Sequence, residues 1–218
     1  MALPCRPTMS DLRRNILKEE SQFITEFKRP ELKYKLNALN KNIDTKTMEE
    51  HYGVHFKKYT DNMNEAIKEE QINVGSIHEL LRLAVNYSPK LKNNAGGYYN
   101  HVIYFEQFTP EKKSPKDKLK YLLEREFADF KEEFTQAGLD LFGSGWVWLV
   151  SDGTDNLSIV TTQNQDNPFM APNFGGQILL GMDVWEHAYY LKHQADRKAH
   201  IKDFFGVIDW DIVERRLG

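Results

Sequence analysis

His51, His55 and Tyr59 follow one another at intervals of four, so that on a helix the three rings share one face. Such a face can simply line a solvated surface, the commoner fate of a lone helical histidine, or it can turn two imidazoles and a phenol toward one site. Asp183 and His187 are also four apart, in Asp183-Val184-Trp185-Glu186-His187, among bulky apolar neighbours where an unpaired charge is costly to bury. Metal ligation removes that cost. If His51 and His101 join Asp183 and His187, three imidazoles and one carboxylate form an N/O ligand set without thiolate. That set suits manganese or iron better than structural zinc or copper(I). Residue types and spacing lead no further than this.

The elements that must hold these residues are legible in outline. The segment Thr45 to Ile67 reads as one helix, with Thr45 or Thr47 as its cap and Glu49 and Glu50 in its first turn. A second helix begins near Ser76, where Glu79 three residues on completes a capping box, and Asn100 to Phe105 lies on a third. TPEKKSPKDKLK, from Thr109 to Lys120, is polar, charged and twice interrupted by proline, which marks a boundary. Beyond it, KLKYLLEREFADFKEEFTQAGLDLF is helical in period. VWLVSDGTDNLSIVTTQN then reads as a β-hairpin around DGTDN, ILLGMDVW as a third strand, and Tyr189 to Asp211 as a closing helix. Strands segregated from helices predict an α+β class rather than a doubly wound fold.

Composition narrows the classes. The 218 residues are 40% hydrophobic with a formal net charge of -3, so there is no basic surplus to attract nucleic acid or an acidic membrane. No run of about 18 apolar residues predicts a membrane span. Cys5 is the single cysteine, so no intramolecular disulfide and no oxidising compartment are required. Without an apolar signal core at the amino terminus, a cytoplasmic location is expected. The first thirty residues mix Arg6, Arg13 and Arg14 with Glu19, Glu20 and Glu26, unlike an acid-poor transit peptide, although organelle targeting by this stretch stays open.

Four segments carry a resemblance. EEHYGVHFKKYTDNMN, NNAGGYYNH, FADFKEEFTQAGLDLFGSGWVWLV and DVWEHAYY are similar, in order and spacing, to motifs of the iron/manganese superoxide dismutases, across roughly Tyr34 to Leu217. The resemblance implies an antiparallel long-helix hairpin domain followed by an α+β domain with a small antiparallel three-stranded sheet. The expected division is an extension over 1–30, the hairpin over 31–110 and the α+β domain over 111–218. It implies His51, His101, Asp183 and His187 as ligands of one manganese or iron ion per chain. The implied reaction converts superoxide to dioxygen and hydrogen peroxide by alternate reduction and oxidation of that ion. Gln165 matches the solvent-contacting glutamine of manganese-type members, whereas iron-type members usually place a glutamine where Gly97 stands; both positions favour manganese, and glycine at 97 also occurs in members that use either metal. Tyr59, with His55 beside it, matches the proton-relaying tyrosine of the substrate channel. Trp146 and Trp185 match walls of the site, Glu186 and Tyr190 the dimer contact, and Arg197 a source of positive charge that steers substrate. The implied assembly is a homodimer or a tetramer of two dimers.

The chain departs from the family's pattern at several places. Val54 stands where lysine is common, Phe56 where a second histidine is, Phe105 and Phe205 where tryptophan is, and Lys198 where proline is; Tyr98 and Tyr99 are unusual. Reduced steering near Val54 and altered packing are the expected results, without loss of a ligand. A metal-storing or interaction dimer on the same scaffold would have no use for a retained Tyr59–Gln165 relay. A non-haem iron oxygenase with two histidines and one carboxylate is disfavoured by the third histidine. The amphipathic pattern SDLRRNILKEESQFITEF is expected to dock on the core.

Overall fold

The computed structural model describes residues 23–24 and 26–218. The SDLRRNILKEESQFITEF pattern and Cys5 therefore lie almost wholly outside the described residues. The chain enters as an extended segment clamped by Asn64, which accepts from the Phe27 amide at 2.9 Å and donates to the Phe27 carbonyl at 2.8 Å.

The first long helix is composite: α1 (Thr45–Glu50), a π-helical turn (His51–Phe56) and α2 (Lys57–Glu69). The sequence predicts one regular helix here, and the wide turn is a departure from it. Gly53 sits in that turn with nothing within 4 Å of where its Cβ would lie, so no packing demands a glycine. Its φ lies outside the left-handed region, so the backbone does not demand a glycine either; wide turns of this kind occur mostly singly and at functional sites. The cap is Asp44, which accepts from the Thr47 amide at 3.0 Å and from the Thr47 hydroxyl at 2.6 Å, while Thr45 turns its hydroxyl to Asn40. Glu49 and Glu50 consequently fall at the end of α1, not in its first turn. In α3 (Ile77–Ala84) Ser76 caps as expected, but the Glu79 carboxylate reaches back one residue further than a capping box requires, to the Gly75 amide at 2.7 Å. Helix α4 (Pro89–Glu106) starts with Ser88 as cap and proline in its first turn, and packs along α2 to close the hairpin.

The second half carries α5 (Asp117–Glu126), α6 (Phe130–Asp140), strands β1 (Gly145–Ser151), β2 (Leu157–Gln163) and β3 (Gln177–Asp183), then α7 (Tyr190–His193), α8 (Arg197–Phe204) and α9 (Trp210–Arg215). The KLKYLL segment is thus two helices. Phe127 is extended, and Asp129 caps the second helix by accepting from the Glu132 amide at 3.1 Å. The expected closing helix is three. Gln194 takes φ 51°, and Asp196 and Asp209 each cap a new start through the Ala199 and Asp211 amides. Helical period survives such breaks because each piece buries the same side, so period alone does not locate them.

The sheet is antiparallel in the order β2-β1-β3, with Trp146 opposite Thr162 on one side and Asp183 on the other. Every residue of β1 is buried, each large apolar side chain contributing about 1.5–3 kcal/mol of hydrophobic stabilisation. Trp148 lies across Gly181 on β3, where an added Cβ would sit 2.4 Å from its ring. The two halves are tied where α4 ends: Gln107 accepts from the Gly181 amide at 3.1 Å, and Phe108 bridges Ile208. Among the described residues no helix is long and apolar enough to cross a membrane.

Candidate metal centre

Four elements deliver four donors to one point. His51 begins the π-helical turn, His101 lies within α4, Asp183 ends β3, and His187 sits in the short 3-10 turn Glu186–Ala188 that follows. One ligand atom from each lies within 4.8 Å of the others. Asp183 Oδ2 is 3.2 Å from His51 Nε2, 3.1 Å from His187 Nε2 and 3.9 Å from His101 Nε2. Donors spaced roughly 3–4.2 Å apart are what bonds of about 2.1 Å to a shared ion produce. The Nε2 atoms of His51 and His101 are buried and have no hydrogen-bond partner. Orphaned buried acceptors are rare, and a cation between them and the carboxylate satisfies all at once. The residues present fit a metal ion.

The surroundings fix which atom of each ligand points inward. His101 Nδ1 donates to the Gly97 carbonyl at 2.6 Å, leaving Nε2 as its free lone pair. Asp183 Oδ1 accepts from the Trp185 amide at 2.8 Å, leaving Oδ2 for the centre. Burial pushes the imidazoles of His51, to about 4, and of His101 down, so both are neutral donors at neutral pH. Burial works to raise Asp183, but the adjacent His187 and His51 outweigh it and hold the carboxyl well below its ordinary range.

Behind the ligands runs a polar line. Gln165 Oε1 accepts from Trp146 Nε1 and Asn100 Nδ2, each at 3.1 Å, which sets the orientation of its amide. Nε2 then donates to the Tyr59 hydroxyl at 3.0 Å, so the hydroxyl's own hydrogen is free to donate elsewhere. The Tyr59 ring lies 5.1 Å from that of His101, and burial, aided by the Asp183 charge and opposed by the Gln165 bond, pushes its pKa up to about 12. His55 stacks on His187 at 4.4 Å with Trp185 near that ring at 5.5 Å, and Trp146 meets His101 at 5.4 Å. A cavity of about 270 Å³ lined by His55, Lys58, Tyr59, Asn62 and Asn94 opens on the rings of His55 and Tyr59.

The other expected residues lie further out. Glu186 and Tyr190 are exposed, and Glu186 makes no ion pair among the described residues. Arg197 is anchored to carbonyls, donating to Leu141 at 2.6 Å and Gly143 at 2.7 Å, and does not line the cavity. The substituted aromatics form a wall: Phe56 stacks on Phe105 at 5.8 Å and on His101 at 5.6 Å, and Phe105 meets the His51 ring edge at 4.9 Å. Tyr98 ties down the entering segment through the Lys28 carbonyl at 2.8 Å, and Tyr99 meets His78 Nε2 at 3.0 Å.

Sequence reasoning missed Asn100, which holds Gln165 and accepts from Asn167 at 2.9 Å, and His200, whose Nε2 contacts the Asp183 carbonyl at 2.8 Å. The available signal for Asn100 was a polar residue next to a ligand on a buried helix face.

Gly97 has a steric reason. A Cβ there would lie 2.4 Å from the Tyr59 ring. Gly97→Ala therefore displaces Tyr59 and costs about 1–3 kcal/mol, the usual range for overpacking, measurable as a lowered urea midpoint while the four ligands still take up metal. An unchanged midpoint would show that the ring yields freely.

A buried centre of three imidazoles and one carboxylate, at the seam of a helical hairpin and an α+β unit, defines a mononuclear metal-binding protein. The family descriptions that match are iron/manganese superoxide dismutases, alpha-hairpin domain, over residues 26–109, and iron/manganese superoxide dismutases, C-terminal domain, over 115–216. The chain belongs to the iron/manganese superoxide dismutase family. It is 43% identical over 189 residues to the Mn/Fe superoxide dismutase of Porphyromonas gingivalis, covering 85% of this chain and 96% of that one. Against the Mn superoxide dismutase of Acinetobacter baylyi the identity is 40% over 200 residues, 88% of each chain. Against the Fe superoxide dismutase of Bacteroides fragilis it is 39% over 196 residues, 88% and 99%.

Proposed function

We propose that this chain dismutates superoxide to dioxygen and hydrogen peroxide, with His51, His101, Asp183 and His187 holding one manganese or iron ion. The observation that carries the reading is the polar line from Tyr59 through Gln165 to Trp146 and Asn100, beside ligand nitrogens that have no other partner. A storage protein needs the ligands but has no use for that line, and the curated relatives are named as dismutases, so a storage role is unsupported. When bound, the ion supplies one-electron redox chemistry, taking an electron from one superoxide and returning it to a second.

The protein's own part is protons, access and orientation. Tyr59 stays protonated at neutral pH and keeps a hydrogen to donate, since Gln165 occupies its oxygen as donor. His55, stacked on His187 at the cavity, stands beside that path. Trp146 and Trp185 limit water at the ligand rings, which strengthens every electrostatic interaction inside. Arg197, held on the Leu141 and Gly143 carbonyls and outside the cavity lining, adds only a background share of the positive potential felt by the anion. Manganese is the metal favoured by Gln165, because the ring of Tyr59 fills the space beside Gly97 that a side chain from α4 would need.

Exposed Glu186 and Tyr190 support a symmetric homodimer, Glu186 reaching the partner subunit's His187 and Tyr190 the partner subunit's His55. Two such dimers joined would make the tetramer. The proposed division is an extension over 1–30, a hairpin domain over 31–110 and an α+β domain over 111–218. A chain whose single cysteine, Cys5, calls for no disulfide suits the cytoplasm.

Elemental analysis, with superoxide dismutation assayed after separate reconstitution with manganese and iron, tests the reading. Activity tracking manganese at about one ion per chain is the expected result; equal activity with both metals would overturn the manganese preference, and activity with neither would overturn the enzyme.

A further inference from the structure

The geometry points to Lys58 as the cation that draws the anionic substrate into the channel, in place of the charge that Val54 does not supply. This rests on the dismutase reading above. Lys58 is exposed and is one of the five residues lining the cavity of about 270 Å³ that leads to Tyr59 and His55. Val54, about half exposed at 52%, is not among them, and neither is Arg197, which is held by carbonyls elsewhere.

The other cations near this rim are matched. Lys57 pairs with Asp61 at 2.5 Å, Lys90 with Glu65 and Glu69 at 2.8 Å each, and Lys92 with Asp166 at 2.6 Å. Lys58 makes no ion pair with any described residue, and the remaining lining groups besides His55 and Tyr59 are the neutral amides of Asn62 and Asn94, joined to each other at 3.2 Å. An unmatched charge at a concave mouth with neutral walls focuses field toward the opening, whereas a paired one is cancelled within a few ångströms. Lys58 does not touch the reacting atoms; it acts on encounter and on anion affinity.

Lys58→Met and Lys58→Glu test this, with Lys57→Met as the control whose charge Asp61 already cancels. Two readouts are used on the manganese-loaded protein: kcat/KM for superoxide across ionic strength, and the dissociation constant of azide read from the visible spectrum. Removal of the charge is expected to lower kcat/KM and weaken azide by about threefold, and reversal by about tenfold, in low salt. Both losses should shrink toward nothing near 1 M salt, where the Debye length is about 3 Å. Lys57→Met and metal content should be unchanged. Unaltered azide affinity and salt dependence in Lys58→Glu would overturn the proposal, as would a loss that persists in high salt. Were the parent protein inactive as a dismutase, the azide titration would still report on Lys58, so the two readings fail separately.

Discussion

Purified His101→Ala protein is expected to contain no metal and to show no superoxide dismutation above background, while Tyr59→Phe retains its metal and changes only rate or sensitivity to peroxide. His101 is fully buried; its Nδ1 is committed to the Gly97 carbonyl and its Nε2 has no partner within the protein. Alanine therefore removes one of four donors and leaves a void between Phe56, Trp146 and Tyr59, whose rings lie at 5.6, 5.4 and 5.1 Å from that of His101. The void costs about 2–5 kcal/mol, so a fold check by circular dichroism accompanies the metal assay, and His101→Gln supplies a better-filled variant. Losing an outer partner of a ligand already costs about 10–100-fold in metal affinity, and losing the ligand itself costs more. Tyr59→Phe removes only the hydroxyl that accepts from Gln165 and leaves all four ligand atoms in place. Full activity in metal-free His101→Ala would refute the ligand assignment. Loss of metal in Tyr59→Phe would move that residue from the proton path to the support of the centre.

The second large effect is on acid stability of the metal-free protein. Burial, the leading cause for each, lowers His51 and His200 to about 4, and it drives His101 well down too. The unfolded chain takes up these protons near pH 6.5 and the folded chain does not, so the unfolded state gains as pH falls. The neutral histidines thus contribute stability that is fully present above pH 6.5 and is lost as pH drops toward 4. A shift of that size is worth about 3 kcal/mol for a fully buried group. His55 and His78 move the same way with a smaller share, being partly exposed. Asp183 adds its own loss at lower pH, below the ordinary carboxyl range. Urea midpoints of the metal-free protein taken from pH 8 to 4 should fall steeply below 6.5, and the metal-loaded protein should lose its ion as the unfolded chain, whose histidines take up protons, gains over the same span. A flat profile above pH 4.5 would mean that the rings accept protons in place. His200→Phe should blunt the fall, at a cost of about 1–3 kcal/mol for stranding the Asp183 carbonyl that His200 contacts.

Much of this centre is legible in the sequence. His51, His101, Asp183 and His187 stood in motifs whose family resemblance named them together, and the structure gathers all four. The α+β class followed from a switch of period near Gly145, where β-branched and aromatic residues pack on both faces of one strand. What stayed hidden depends on partners far away in sequence. Asp44 and not Thr45 caps α1 because Asn40 takes the Thr45 hydroxyl. The helices split at Asp129, Asp196 and Asp209 because a short carboxylate can satisfy a new helix start better than the preceding turn can continue. Asn100, Tyr104 and His200 read as ordinary helix residues until long-range contacts show them around the ligands: Asn100 on Gln165, Tyr104 with its ring 5.0 Å from His51, and His200 on Asp183.

The wide turn His51–Phe56 works as a phase setter between two lengths of helix. A regular helix advances about 100° per residue, so the one extra residue of a π-turn fixes the angle at which everything downstream is presented relative to everything upstream. His51 lies at one end of the turn and Tyr59 three residues past the other. Removing Gly53 would therefore act less as a shortening than as a rotation, turning Tyr59, Met63 and the α2 stripe away from α4 while His51 kept its aim. Ligand and proton donor share a helix, and their relative bearing is carried by a single turn.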